Sequence, residues 1–455
     1  MALNITDRKT NMAKIIVCIS LGTASALLTL LDFRISAAIL LIFLCVAFII
    51  FVKIKFELAV LLDIFLLSFV FIEPAPCDIM FIFLIIFFLI NNSGNRNKIY
   101  SQSFAVILLC LFILSNIITM FNAVDFGAAI RYFSATLYLS CFCGFIFLYS
   151  SPSNYISLLR AYVLSSLTAS VLALIGYIGF FQSVLMIDEF RPKALFKDPN
   201  VFGPFLIPAV IILIDDIGKT KIIKTNPIIH KIILAIIVAG VAISFSRAAW
   251  ISLIASFLIY ILLNIKKFNV IKTCAYVCTF CIVTFFCWNY AISSNLKDFV
   301  FERAKLQTYD QDRFASQATG IELSTGNPFG YGPGQHETVV AKIIGESISS
   351  HSLYIRVFVE NGILGFILFI SLLGIIILNL FVCHFSKKNA AIFPSSILLS
   401  ILIGIMVNSI VIDTLHWRHF WFFIGMGFSV PAYSSNIRGN SSPPVISEVH
   451  KWIYK

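Results

Sequence analysis

Charge is what this 455-residue chain has least of: only 12% of its residues are charged, against about 25% in soluble domains. With 59% hydrophobic residues, 46 of them phenylalanine, and a mean hydropathy of +0.96, that scarcity excludes a multidomain soluble enzyme and leaves a polytopic membrane protein. Other absences narrow the class further. There is no G-x-x-x-x-G-K-[ST] sequence, and the glycine-rich stretch "GNPFGYGPGQ" follows no strand pattern; a nucleotide-binding loop is excluded and a tight turn expected. No internal repeat is visible. Met1 to Asn11 is polar and the first apolar run, Ile15 to Leu31, has no convincing small-residue cleavage site, so no cleavable signal peptide is expected. The net charge of +11 does not point to nucleic acid, because the Lys and Arg residues are dispersed between apolar runs of membrane length and read as topology signals.

The 11 cysteines lie almost entirely inside apolar runs, where they act as small packing residues and imply no disulfide framework. Cys274, Cys278 and Cys281 share one helical stripe, but no His or carboxylate stands beside them. No metal site is expected there, since structural zinc needs four clustered ligands.

A membrane span needs about 20 mostly apolar residues. On that basis the candidate helices are 15–31, 35–52, 57–72, 78–90, 104–121, 127–150, 155–183, 201–214, 232–246, 248–264, 270–292, 353–382, 391–412 and 420–432. They give fourteen spans, or twelve if one early hairpin merges or is lost. The expected fold is therefore an all-α polytopic membrane protein with one large outer loop containing short helices. Its segments are 1–183 (N-terminal spans), 184–292 (central spans with outer arginine loops), 293–352 (the large loop), 353–432 (C-terminal spans) and 433–455 (tail).

The basic residues orient it. With Arg8, Lys9 and Lys14 cytoplasmic, the loops holding Lys53 and Lys55, Arg96 and Lys98, Lys219, Lys221, Lys224 and Lys231, Lys266 and Lys267, and Lys387 and Lys388 all fall inside. The tail with Arg438, Lys451 and Lys455 does too. Every short Lys-rich loop then obeys the positive-inside rule, with both termini cytoplasmic.

Left on the outer side are the loop Leu185 to Asn200, the crossing around Arg247 and the loop Ser294 to Ser352. The last is far longer than ordinary connections, which marks it as functional or separately folded. Within it, Leu296 to Ala318 and His336 to Ser349 are expected as short amphipathic helices, with Val339, Val340, Ile343 and Ile344 along one side of the second.

The outer face also collects Arg191, Lys193, Lys197, Arg247, Arg303, Arg313, His351, Arg356, His416 and Arg418, against the usual bias. Two causes fit: a solvated loop meeting anionic lipid, or a pocket for a strongly anionic ligand. Arginine keeps its charge and binds phosphate oxygens in pairs, so converging arginines suit a phosphate or pyrophosphate group. Individual residues carry the same choice. Arg247, in "ISFSRAAWISL", is either a snorkelling turn residue or a ligand contact. Asp198, before Pro199-Asn200, is expected to cap a helix, whereas Arg191 has no comparable structural duty. In "SSHSLYIRVFVENGILGFILF" the apolar run carries His351, Arg356, Glu360 and Asn361, although an ionisable group at bilayer depth costs roughly 2.5–3.5 kcal/mol on insertion scales. His351 is either a structural helix-start residue or a proton acceptor; Arg356 and Glu360, spaced i, i+4, form either a structural pair or a pocket wall. His416 and Arg418 in "DTLHWRHFWFF" either line a cleft or belong to an interfacial anchor with Trp417 and Trp421.

His351-Ser352, nine residues, then Gly362, Ile363, Leu364 and Gly365 fit an H-[NSQ]-x9-G-x-x-G pattern. With "RPKALFKDPNVF", "SFSRAAW" and "NPFGYGPG" before it in order, the stretch from about Phe190 to Gly365 resembles the O-antigen ligase and polymerase superfamily of bacterial membrane proteins. The first 180 residues match only as a generic set of spans. The resemblance implies an inner-membrane glycosyltransferase that needs no metal or other cofactor. It would take a glycan from undecaprenyl pyrophosphate on the periplasmic side and pass it to lipid A-core or another glycan acceptor. It implies His351 as the catalytic base, Arg191 and Arg247 at the donor pyrophosphate, and, as a weaker match, Arg313 beside them. Arg356, Glu360, His416 and Arg418 are candidates for the pocket wall. Ligase, repeat-unit polymerase and protein-glycosylating enzyme share this donor chemistry; a lipid-linked sugar transporter is the alternative from another class, with membrane lipids as surroundings throughout. Transporters place ionisable groups near the midplane and often repeat their halves, whereas here those groups gather on the outer side around one loop.

Overall fold

A computed structural model describes residue 50 and residues 52–91, 96–219, 221–267, 293–305, 308–386 and 395–436. The expected spans 15–31 and 270–292, most of 35–52, the Cys274, Cys278 and Cys281 stripe, Lys387 and Lys388, and both termini lie outside the described residues. The elements in chain order are α1 (Phe56–Phe65), α2 (Pro76–Ile90), α3 (Arg96–Ser101), α4 (Ser103–Met120), α5 (Phe126–Tyr149), α6 (Tyr155–Tyr177), α7 (Gln182–Leu185), α8 (Pro199–Asp216), α9 (Pro227–Ile243), α10 (Arg247–Leu263), α11 (Ser294–Ala304), α12 (Thr308–Gly326), α13 (His336–Ile344), α14 (Leu353–Phe385), α15 (Ser395–Asn408) and α16 (Arg418–Asn436). Among the described residues no strand forms; Met186 and Pro192 make an isolated bridge. The protein is an all-α polytopic membrane protein: α4, α5, α6, α8 and α14 are long and apolar enough to cross a bilayer, and α2, α9, α10 and α15 are shorter apolar helices.

The helix α8 is buried along most of its length and packs against α6, α9, α10 and α15. Lipid is as apolar as leucine, so helices here hold together through close packing and hydrogen bonds. Ser252 Oγ of α10 accordingly donates to Gly404 O of α15 at 2.7 Å, and Tyr162 OH of α6 donates to Phe205 O of α8 at 2.6 Å. The helix α16 supplies an aromatic plug: Phe420, Trp421, Phe422 and Phe423 are fully buried, and Tyr162 stacks on Phe422. Trp421 is therefore a core residue. Its ring is solvent-free and its Nε1 donates to Leu415 O at 2.6 Å, which removes it from the interfacial-anchor reading.

At the helix ends opposite the 293–352 loop, charged groups staple loops to the bundle. Lys98 is fully buried, its ammonium donating to Phe147 O at 2.9 Å, Leu148 O at 3.0 Å and Ser150 O at 2.5 Å. These carbonyls end α5 and have no intrahelical donor. Asp216 takes the N–H groups of Lys221, Ile222 and Ile223, and Arg160 binds Ile222 O and Lys221 O.

In the large loop the expected helix over 296–318 is two elements, α11 and α12, and the second expected helix stops at Gly345, which adopts φ 86°. The stretch "GNPFGYGPGQ" is a turn with Gly330, Gly332 and Gly334 all at positive φ. It docks against a break in α14. Gly362 adopts φ 65° and ψ −173°, so the long helix is two helices in series. The freed backbone groups go to the turn: Ile363 N donates to Pro328 O at 2.9 Å, while Tyr331 N and Gly332 N donate to Val359 O at 3.0 Å and Glu360 O at 2.9 Å. Non-helical backbone within a span is tolerated when protein satisfies it in this way. Only glycine fits, because a Cβ at Gly362 would run into the Pro328–Gly330 backbone. One turn on, Gly365 lets α4 approach, with Ser115 Oγ 2.9 Å from where a Cβ would stand.

Candidate active site

The outer ends of these helices carry two cavities. The first, about 410 Å³, is lined by Arg191, Arg247, Arg303 and Arg313 together with Asp198, Asn200, Asp310 and Gln317. Local structure places each arginine. Asp188 Oδ1 accepts from the N–H groups of Phe190 and Arg191 at 3.1 and 2.8 Å, closing the turn that presents Arg191. Its Nη2 lies 3.4 Å from Asn200 Oδ1. Asp198 caps α8 as expected, accepting from Asn200 N at 2.6 Å. Ser246 caps α10 by accepting from Ala249 N, which fixes Arg247 as the first residue of that helix. There Arg247 Nη2 donates to both carboxylate oxygens of Asp310 at 2.7 Å, and Nη1 to Lys305 O at 3.2 Å. Arg313 follows Asp310 by about one turn of α12. Four guanidinium groups thus face two carboxylates, an excess of positive charge in a confined space.

His351 stands just before α14 in a left-handed backbone conformation, φ 45°. Such a conformation in a residue other than glycine costs about 1–3 kcal/mol and must be held by its surroundings. Here Gln317 Nε2 donates to Ser350 O at 3.1 Å, Ser316 Oγ lies within reach of Ile348 O and Ser349 O, and Leu353 N donates to Ser409 O at 3.0 Å. Among the described residues its ring nitrogens make no hydrogen bond. Burial, reinforced by the Arg313 charge, lowers its pKa to about 4, so the imidazole is neutral and able to accept a proton at physiological pH. Its other charged neighbours are Asp413, Asp198 and Arg356. Arg313 and Asp198 line the first cavity and Arg356 the second, so the histidine stands between the two.

The second cavity, about 720 Å³, is lined by Glu73, Asp78, Arg131, Tyr132, Tyr138, Arg356, His416 and Arg418 among others. Arg356 is buried beneath it, and its expected partner Glu360 is there, 3.1 Å from Nε. The pair is part of a larger group: Arg356 Nη1 also binds Asp413, Nη2 lies 3.7 Å from Glu337, and the guanidinium sits 4.8 Å from the Tyr132 ring centroid. Burial works against the Asp413 carboxylate, but Arg356 leads the interactions that hold its pKa below the ordinary value. Arg418 grips Asp78 with Nε at 2.6 Å and Nη2 at 2.5 Å, and Tyr138 OH donates to the same carboxylate at 2.8 Å. His416 Nε2 is 3.0 Å from Thr136 Oγ1, and burial lowers its pKa to about 4.

Every site residue singled out from sequence therefore lies at this end of the bundle: Arg191, Arg247 and Arg313 in the first cavity, Arg356, His416 and Arg418 in the second, Glu360 behind Arg356, and His351 between. Sequence reasoning passed over their partners. Asp310 had a signal, standing three residues before Arg313 in "TYDQDR"; Asp413 likewise precedes His416 by three. Nothing local marked Tyr132 or Glu337.

An arginine-lined cavity and a neutral histidine at the outer ends of membrane helices define a membrane protein built to hold an anionic group beside a proton acceptor. Residues 232–370 match the family described as O-Antigen ligase, and the match supports membership of the O-antigen ligase and polymerase superfamily. The matched stretch runs from α9 past the Gly362 break and takes in Arg247, Arg303, Arg313, His351, Arg356 and Glu360. Members are glycosyltransferase-like ligases and polymerases, so the chain is an enzyme of that general kind with lipid-linked glycans as its substrate class. No curated protein matches the chain.

Proposed function

We propose that the protein is a periplasm-facing, inverting glycosyltransferase of the bacterial inner membrane that moves a glycan from undecaprenyl pyrophosphate to an acceptor hydroxyl. The observation that carries this reading is the juxtaposition of an arginine-lined cavity with an unencumbered, neutral His351. In the donor, a sugar is already joined to a good leaving group. What remains is to orient the acceptor, take its proton and stabilise the charge that builds on the departing phosphate.

Each group has a part. Arg191, Arg247, Arg303 and Arg313 hold the pyrophosphate, with Asp310 fixing the direction of the Arg247 fork, and this charge serves in place of a divalent cation. His351 accepts the proton of the acceptor hydroxyl as its oxygen attacks the anomeric carbon. The bond from that carbon to the pyrophosphate oxygen breaks on the opposite face, inverting the centre and releasing undecaprenyl pyrophosphate.

The test is a transfer assay with purified protein in detergent, supplied with undecaprenyl-pyrophosphate glycan and no divalent metal, with lipid A-core present or absent. Glycosylated lipid A-core that disappears in His351→Ala supports the ligase. Lengthening of the donor glycan without lipid A-core, also lost in His351→Ala, supports the polymerase. Wild-type transfer by normally expressed His351→Ala would sink the role given to the histidine.

A further inference from the structure

The two cavities flanking His351 differ in charge, and the difference identifies what the second one holds. Resting on the function proposed above, we infer that the cavity of about 720 Å³ between α2, α5 and the start of α16 is the acceptor site and that it takes an uncharged sugar. In the first cavity cations outnumber carboxylates. In the second they are cancelled: Arg356 faces Glu360, Asp413 and Glu337, and Arg418 is gripped through two bonds by Asp78. The exposed Arg131 is offset by Glu73, itself paired with Lys197 at 2.7 Å.

A phosphate entering such a site would meet carboxylates as often as guanidinium groups, and the guanidinium groups are already committed. Paired side chains still offer unused lone pairs and N–H groups, arrayed beside the rings of Tyr132 and Tyr138 and the apolar side chains of Ala135 and Leu139. Hydrogen-bonding capacity without net charge, next to aromatic and aliphatic surface, matches the alternating hydroxyl and C–H faces of a sugar. The volume falls within the range of small-molecule sites. His351, with charged neighbours lining both spaces, is placed to take a proton from an acceptor on this side while the donor phosphates occupy the other.

The experiment uses two probes made from the strain's own lipid-linked glycan: the released, uncharged oligosaccharide, and the same oligosaccharide carrying a phosphate monoester at its non-reducing end. Each is offered as acceptor to the full-length enzyme at saturating donor, and bound to it in the absence of donor. Expected are transfer to the uncharged probe, at least tenfold weaker binding and use of the phosphorylated one, and an acceptor KM raised about tenfold by Ala135→Phe with the donor KM held. Preference for the phosphorylated probe overturns the inference while leaving the transferase reading intact, as does an unchanged acceptor KM in folded Ala135→Phe. Failure of the wild type to transfer to any acceptor, lipid A-core included, overturns the transferase reading and this inference with it. The binding preference is read on the wild type, so the inference stands or falls even where Ala135→Phe does not fold.

Discussion

Replacing Arg356 with methionine removes a cation from a site where three carboxylates converge. The Arg356 and Glu360 side chains are 6% and 3% exposed and Asp413 is 14% exposed, so water screens them little; Glu337, at 38%, is free to turn outward. Methionine keeps the volume and the packing against Tyr132 but leaves Glu360 and Asp413 facing each other without a counter-ion. Removing one member of a buried ion pair costs about 3–5 kcal/mol. At tenfold per 1.4 kcal/mol, the folded population relative to the unfolded falls by roughly two to three and a half orders of magnitude. The assay is thermal unfolding of purified protein in detergent, followed by tryptophan fluorescence, with Arg356→Met/Glu360→Gln beside the single variant. The single variant is expected to unfold several degrees below wild type, and the double variant to recover part of the loss because one stranded charge is gone. A single variant as stable as wild type, or a double variant less stable than the single, would refute the view that this cluster is a mutually neutralising unit.

Three further outcomes are expected. Because His351 and His416 both have pKa values lowered to about 4 from the ordinary 6.5, the unfolded chain binds protons that the folded protein does not; stability is complete above about pH 6.5 and declines as pH falls toward 4. In a pH series, transfer activity should keep its acid limb near 4 rather than 6.5, and a limb at 6.5 would show that His351 is not buried as described. Gly362→Ala forces a side chain into the Pro328–Gly330 backbone at positive φ, so limited proteolysis should cut the 327–335 turn faster than in wild type, with transfer reduced more than tenfold. Lys98→Met strands the carbonyls of Phe147, Leu148 and Ser150, at about 1–3 kcal/mol for a buried group left unsatisfied, and thermal unfolding should fall while the acceptor KM is unchanged.

Much of the helical layout was legible in the sequence because hydropathy reports burial in lipid directly; the expected boundaries at 104–121, 127–150 and 248–264 lie one residue from those of α4, α5 and α10. The break in α14 was not legible, since "GILGFILF" continues the apolar run and only backbone geometry marks Gly362 as its interruption. The two readings of "GNPFGYGPGQ" and of the spaced glycines were each made alone; their meeting in one set of hydrogen bonds is a tertiary fact. The candidate site followed the same pattern. Arginines on the outer side stood out because they violate a topological bias, whereas Asp413, 57 positions from the Arg356 it binds, carries no local mark of its role. Trp421 was misread because composition alone does not separate a ring at the headgroup level from one sealed among Phe420, Phe422 and Phe423.

The glycine interruption in α14 has a mechanical meaning. A continuous helix through the bilayer is a stiff lever: when the membrane thickens or thins, the span tilts, and whatever is mounted on its tip swings with it. In this span the lever is cut. The inner section from Ile363 onward follows the lipid, while the short outer section carrying Arg356 and Glu360 is clamped through its own backbone to the periplasmic turn. Gly362 therefore acts as a universal joint, isolating the geometry around His351 from the composition and thickness of the membrane that surrounds it.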